Sequence, residues 1–384
     1  MAENGVQRRL KSKTALVLAG GGIMGAAYEI GVLTALDKLF KGGFNCRRFD
    51  MYVGISSGSV ISALVANKVR PANMYRAIVR NESSSFNFTR SDIYRFEIWR
   101  LLTSVGKLIV SFPNILNSFY RHRWTFSFSD FFHMLMEQLP AGVFHIEHME
   151  AFLRHSFYRE GLRNDFSLLD RALYIPAYDL DLGERVIFGN DEPMPVPVTI
   201  SQAITASCAI PFFFEPYQIH GRDYVDALTG RVAHLDIAIE KGAKLIFVVN
   251  PRVPMRNDTD RYCLPTLTSG ECGNIRSLGA TYAWEQAQRI GIQEKFELAL
   301  EICRRDHPDV DVIVIEPDRQ ESSMFFQNPM SGAMRKLTMQ NGYHITLGQF
   351  YRSFDKLKAV MDRHGLEITD QNLSDLPPAT LTEN

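Results

Sequence analysis

The sequence predicts an α/β protein with a parallel sheet and crossover helices, and three stretches carry that prediction. Residues 15–19 are an unbroken apolar run, as in a strand buried on both faces, and they end at Gly20, Gly21 and Gly22. Residues 23–39 then set Ala26, Ile30, Leu33, Ala35 and Leu36 at helical spacing. Residues 51–55 and 59–67 repeat the pattern as a second strand, a tight turn and a second helix. Strands that alternate with helices across short turns pair in parallel, because a parallel neighbour is reached only through a crossover.

The other elements follow in chain order. Residues 1–13 read as a flexible basic lead. Arg8, Arg9, Lys11 and Lys13 before an apolar run imitate a secretory signal, but three glycines and then Glu29 interrupt that run, so it reads as a buried first strand. Residues 86–133 differ in composition: 13 of these 48 are aromatic, and six Lys/Arg stand against three Asp/Glu. Two readings stay open for this stretch, a helical cap packed on the core or a lipid-facing lid, since basic aromatic helices partition into membrane interfaces. Residues 151–156 continue a helix, and 172–178 and 185–188 are strands joined by a turn through Asp179 and Gly183. Residues 199–207 form a helix that ends near Pro211. Residues 212–219 and then Tyr224 and Val225 are strand-like, with a turn at Gly221. Residues 232–241 are a helix with Gly242 in the stop position, and 244–250 an apolar strand. A Pro/Thr/Gly/Ser loop covers 251–274, a long helix 278–305, a core strand 310–315 and a mostly helical region 332–363. The end of the chain, with Pro377 and Pro378, reads as disordered.

Composition excludes several classes. The 384 residues make room for one large α/β domain or two ordinary ones. A net charge of −1 offers nucleic acid no global attraction. No stretch reaches the roughly 18 apolar residues of a membrane-crossing helix. The five cysteines (Cys46, Cys208, Cys263, Cys272 and Cys303) are odd in number and scattered, which suits a reducing compartment. Cys263 and Cys272 lack metal-ligand spacing, so free thiols and no metal site are expected. The expected location is the cytoplasm, with peripheral attachment to a membrane through 86–133.

The chemistry centres on Gly54-Ile55-Ser56-Ser57-Gly58, a Gly-x-Ser-x-Gly turn between an apolar strand and a helix. Small flanks let a serine sit on a strained turn, so Ser56 is the candidate nucleophile and Gly54 and Gly58 its elbow. Ser57 and Ser59 read as helix-start residues. A serine needs donors for the oxyanion it creates and a base for its proton. The run Gly20-Gly21-Gly22 with Gly25 can supply the donors. The same run matches a dinucleotide fingerprint, but that site wants an acidic residue closing the second strand, and neither Asp37 nor Asp50 is so placed. For the base, the residues leave His234, Asp223, Asp226 and Asp236 open.

The chain resembles the patatin-like phospholipase family, of the bacterial type. The resemblance runs through residues 15–22, Gly54 to Ser59, Tyr178 to Glu184, Ala206 to Pro211, Phe214-Glu215-Pro216 and Gly221 to Asp226, and it spans about 14–250. It implies a three-layer α/β/α fold with a central, mostly parallel sheet, a serine elbow and a helical aromatic-rich insertion. It implies a catalytic domain over 14–330, with 86–133 as its insertion, and a C-terminal extension over 331–384. It also implies a Ser–Asp dyad of Ser56 and Asp226, with Gly20, Gly21, Gly22 and Gly25 as the oxyanion loop. The N–H groups of Gly21 and Gly22, with that of Ser57, are then the donors. The implied activity is acyl-ester hydrolysis of phospholipids or neutral lipids without metal or cofactor. An acyltransferase or thioesterase on the same dyad, or a weakened lipid-binding protein, are the alternatives. Two departures stand out. Met24 replaces the usual Arg or Lys, and Ala227 replaces the usual glycine after the aspartate. A positive φ at Ala227 would strain that turn by about 1 kcal/mol.

Overall fold

The computed structural model describes residues 12–80, 82, 140–192, 196–258, 270–320, 332–371 and 373, with scattered residues between 106 and 137. The expectations for 1–11, for most of 86–133 and for 374–384 fall outside the described residues.

The two strand–turn–helix units form as their patterns require. β1 (Thr14–Leu18) leads into α1 (Gly22–Leu39), and β2 (Met51–Gly54) leads into α2 (Ser57–Ala66). A third helix, α3 (Pro71–Val79), begins with a proline where a missing N–H costs nothing. After it come β3 (Gly142–Phe144), α4 (Glu147–Arg159), the paired β4 (Ala172–Asp179) and β5 (Glu184–Gly189), and α5 (Ile200–Ser207). Thr199 caps α5 with a complete capping box, its side chain bonded to the Gln202 N–H and its own N–H bonded to the Gln202 side chain. The chain continues through β6 (Phe212–Phe214), β7 (Tyr217–Ile219), β8 (Arg222–Asp226), α6 (Leu235–Glu240), β9 (Leu245–Val249), α7 (Ala280–Asp306) and β10 (Asp311–Ile315). Helices α8 (Gly332–Arg352) and α9 (Phe354–Arg363) complete it.

The sheet runs β10–β9–β1–β2–β4, all parallel, and continues into antiparallel β8 and β7, with β5 also on β4. Alternation on β1 divides the interior. Leu16 and Leu18 pack with α1, α2 and α8 on one face, while Ala15, Val17 and Ala19 pack with α6 and α7 on the other. That is the expected three-layer α/β/α arrangement with a mostly parallel sheet.

Several expectations change. The run 212–219 is not one strand. Pro216, which has no N–H for a ladder, separates β6 from β7, and β6 pairs with β3 outside the main sheet. The helix expected over 232–241 starts only at Leu235, because Ala233 and His234 adopt φ of 56° and 43°. The region 332–363 is two helices broken at Ser353. Cys272 is disulfide-bonded rather than free, whereas Cys46, Cys208 and Cys303 are free thiols as expected. No described helix is long and apolar enough to cross a membrane.

Candidate active site

Strand register assembles the site. A strand has two edges. On β4, β5 occupies one of them from Tyr174 to Asp179. The other edge is shared: β2 runs along Ala172–Tyr174, and antiparallel β8 comes toward it along Asp179–Ala177. The two strands therefore point at each other, and Ser56 and Asp226 stand at the facing ends. Val53 pairs with Tyr174, which puts Ser56, three residues on, at the level of Ala177, the partner of Asp226. Leu18 pairs with Gly54, which puts Gly20 at the level of Ser56.

Ser56 sits at φ 51°, ψ −130°, a backbone conformation that a side chain disfavours. The turn is pinned on both sides. The Ser56 N–H donates to Ser207 Oγ at 3.0 Å, and the Ser59 hydroxyl donates to the Ser56 carbonyl. Gly58 carries the first turn of α2 across the end of β1, where a Cβ would lie 2.4 Å from the Leu18 carbonyl oxygen. Backbone at that distance cannot yield cheaply. Gly58→Ala is therefore expected to destabilise the fold by roughly 2–3 kcal/mol, read as a lower urea midpoint at unchanged slope.

The glycine loop lies against this elbow. Gly20 has φ 74°, and a Cβ there would lie 2.3 Å from the Ile55 carbonyl oxygen, so only glycine fits. Its N–H donates to Glu29 Oε1 at 2.9 Å, and the Gly25 N–H donates to the Gly21 carbonyl at 3.1 Å. Those two N–H groups are thus engaged in shaping the loop, and the expected donors, the N–H groups of Gly21 and Gly22, are other than these. Gly21 and Gly22 open α1, where the first N–H groups of a helix have no intrahelical acceptor. Glu29 is the residue that sequence reasoning missed. It is wholly buried, burial pushes its carboxyl up to about 8 against the pull of the Gly20 N–H, and Oε2 has no hydrogen-bond partner. Its one signal in the sequence was a carboxylate amid Ala26, Tyr28, Ile30 and Val32 on an otherwise apolar helix.

Asp226 ends β8, its N–H bonded to the Ala209 carbonyl at 2.9 Å and its Oδ1 accepting the Leu228 N–H at 2.8 Å. Oδ2 is buried without a hydrogen-bond partner. Burial pushes the carboxyl up to about 6, against the Leu228 N–H, the nearby Ser56 hydroxyl and the charge of Arg252. The expected strain at Ala227 is absent. Ala227 enters a 3-10 turn without positive φ and is fully buried. The glycine this turn needs is Gly230, where a Cβ would lie 2.0 Å from Tyr178 Oη.

The other base candidates face elsewhere. His234 lies behind the turn, with Nδ1 3.1 Å from Arg185 Nη1 and Nε2 3.4 Å from the Ala227 carbonyl. An arginine can only donate, so Nδ1 accepts and the proton sits on Nε2. Burial and the Arg185 charge push the ring down to about 4, so it is a neutral buttress of the Asp226 turn. Asp236 pairs with Arg185 and Arg231, and Asp223 accepts from Gln218 in the β7–β8 hairpin.

An α/β sheet with a strained serine turn beside a glycine loop and a buried carboxylate is the class that fold and site define. A family model described as patatin-like phospholipase matches residues 16–237, more than half of the chain, and the chain belongs to that family. Among solved structures, it is similar to the crystal structure of VipD from Legionella pneumophila, at 13% identity and a TM-score of 0.36, covering 90% of this chain and 67% of that one. No curated protein matches.

Proposed function

We propose that this chain is a lipid acyl hydrolase of phospholipase A or lysophospholipase type, acting through Ser56 and Asp226. The observation that carries the reading is the meeting of a strained Ser56 with the unpartnered Oδ2 of Asp226 at facing strand ends. Asp226 takes the Ser56 proton as Oγ attacks the ester carbonyl. The N–H groups of Gly21 and Gly22, with that of Ser57, receive the oxyanion. The alcohol leaves with the proton, and the acyl group stays on Ser56. Water then attacks the acyl-enzyme, giving a proton to Asp226, which passes it to Ser56 Oγ as that bond breaks and the fatty acid is released. Side chains and backbone alone perform these steps. The insertion 86–133 is the element proposed to receive acyl chains or to touch a membrane surface. The weakened-binder alternative loses one of its two grounds, since Ala227 is unstrained.

A serine-directed fluorophosphonate tests the nucleophile. The wild type is expected to label and Ser56→Ala not to; equal labelling of both overturns the assignment. A panel of ester lipids, scored for free fatty acid against transfer to an added alcohol, separates hydrolysis from acyl transfer.

Glu29 is expected to matter through the loop. Glu29→Ala removes the acceptor of the Gly20 N–H and should slow fluorophosphonate labelling by roughly 10–100-fold, since small misplacements at a reacting centre carry costs of that order. Glu29→Gln keeps an oxygen for Gly20 and should label within a few-fold of wild type.

A further inference from the structure

A second polar cleft lies at the end of the sheet away from Ser56. Asp50 precedes β2 and Arg171 precedes β4. The Asp50 N–H donates to the Thr14 carbonyl at 3.0 Å, and its carbonyl accepts the Ala172 N–H at 3.3 Å, so the three strands begin at one edge. Ser56 lies beyond the far end of β2, about 20 Å away at the rise of an extended chain. At the near edge a cleft of about 430 Å³ is lined by Asn45, Arg47, Arg48, Lys68, Asp170 and Arg171. Four cations thus stand against one acid.

Local structure fixes these cations. Asn45 caps a 3-10 turn over Cys46–Arg48, its Oδ1 accepting the Arg47 N–H at 3.1 Å and its carbonyl the Arg48 N–H at 2.9 Å. The Tyr52 hydroxyl donates to the Cys46 carbonyl at 2.9 Å and ties that turn to β2. Lys68 stands just past the end of α2 at φ 67°, with its N–H on the Val65 carbonyl and that of Val69 on the Leu64 carbonyl. This helix closure favours glycine, so the chain keeps a lysine there against its backbone preference. Lys68 pairs with Asp170, and Arg171 Nη1 meets Asp50 Oδ1 at 3.1 Å. Arg47 and Arg48 pair with no carboxylate among the described residues. Arg47 Nε is buried with no hydrogen-bond partner. The fold therefore holds a half-buried guanidinium without the acceptors that such a group requires.

We propose that this cleft binds a small ligand through a terminal phosphate group, held by Arg47, Arg48, Lys68 and Arg171. Arginine forks match phosphate oxygens two at a time, and a phosphate brings more than one negative charge to a strongly positive lining. A single carboxylate would leave most of that charge unbalanced. An acyl chain would find no apolar side chain in the lining. The volume suits a small molecule rather than a nucleic-acid backbone, which needs a longer basic track. The cleft is separate from Ser56 in place and in chemistry, and it stands independently of the dyad reading. A terminal phosphate is carried both by soluble phosphorylated compounds and by the headgroup of phosphatidic acid.

Two probes separate these sources. Inorganic pyrophosphate is titrated into the full chain by calorimetry at low salt, and sedimentation is measured with phosphatidylcholine vesicles with and without phosphatidic acid. Binding is expected with at least one probe. Arg47→Gln and Arg48→Gln should each weaken it roughly tenfold or more, as the loss of a charged hydrogen bond does. Asp170→Asn removes the one acid of the lining and should tighten binding by roughly three- to tenfold. Asp170 is exposed, so this variant keeps the question answerable if an arginine variant does not fold. Heat with pyrophosphate alone supports a soluble ligand, and phosphatidic-acid-dependent sedimentation that Arg48→Gln removes supports a headgroup. Failure of both probes on the wild type overturns the proposal. So does binding that both arginine variants leave intact or that Asp170→Asn fails to tighten.

Discussion

Ser56→Ala is expected to lower ester turnover by roughly 10⁴-fold or more, because the residual rate then comes from binding and oxyanion contacts alone. Its thermal unfolding should stay close to wild type, since one hydroxyl contributes little and the strained backbone is retained. Ser56→Gly should lose turnover equally but gain stability. Glycine takes φ 51° freely, relieving strain of about 1–3 kcal/mol. Its freer unfolded chain offsets about 0.5–1 kcal/mol of that. A net gain of about 1 kcal/mol in urea unfolding is the expected reading. A Ser56→Ala enzyme that keeps a few per cent of turnover would sink the nucleophile, and a Gly variant less stable than wild type would sink the strain.

Asp226→Asn should reduce turnover by roughly 10²–10⁴-fold, the range a positioned base contributes. If Asp226 is the base, as proposed, the wild-type rate should fall as pH drops through about 6. Stability runs the other way. The folded carboxyl is raised from 3.8 to about 6, so the folded state holds the proton more tightly. That contribution is full below the unfolded value and lost as pH rises through the folded one. At neutral pH the buried charge then costs about 2–3 kcal/mol, from about 1.4 kcal/mol per unit. Asp226→Asn should therefore be the more stable protein near pH 7.5 by about that amount, with the gap closing toward pH 4. Calorimetric scans at the two pH values check it, and a variant less stable at neutral pH would contradict the burial argument.

Both predictions trade stability for chemistry at the same place. Ser56 holds a disfavoured backbone, and Asp226 and Glu29 hold carboxyls that burial opposes. Other local rules are obeyed nearby, as in the capping box on α5 and the alternation along β1.

Legibility followed the range of the interactions. β1, α1, β2 and α2 were readable because apolar periodicity and turn glycines act within a dozen residues. The strand β3 was missed, since it is three residues long and is defined by its pairing with β6. The helix at 232–241 was overdrawn, because its apolar pattern says nothing of the positive φ at Ala233 and His234 that bends the chain behind Asp226. Ala227 looked strained when matched against a glycine. The turn it enters is a 3-10 turn that any residue can adopt.

By itself the sequence determined the α/β class and picked out Ser56, Gly54, Gly58 and the glycine run, because a serine elbow and a glycine loop are each written in contiguous residues. It also supplied, by resemblance, the name of Asp226. Only the tertiary structure decided which acid or histidine stands at the serine. Asp226 lies 170 positions further along the chain. Its approach depends on β2 and β8 sharing one edge of β4 from opposite directions. The register of β1 with β9 likewise sets Arg252 on Gly21. Hydrogen-bond register acts across strands, not along them, so no local pattern of residues contains it.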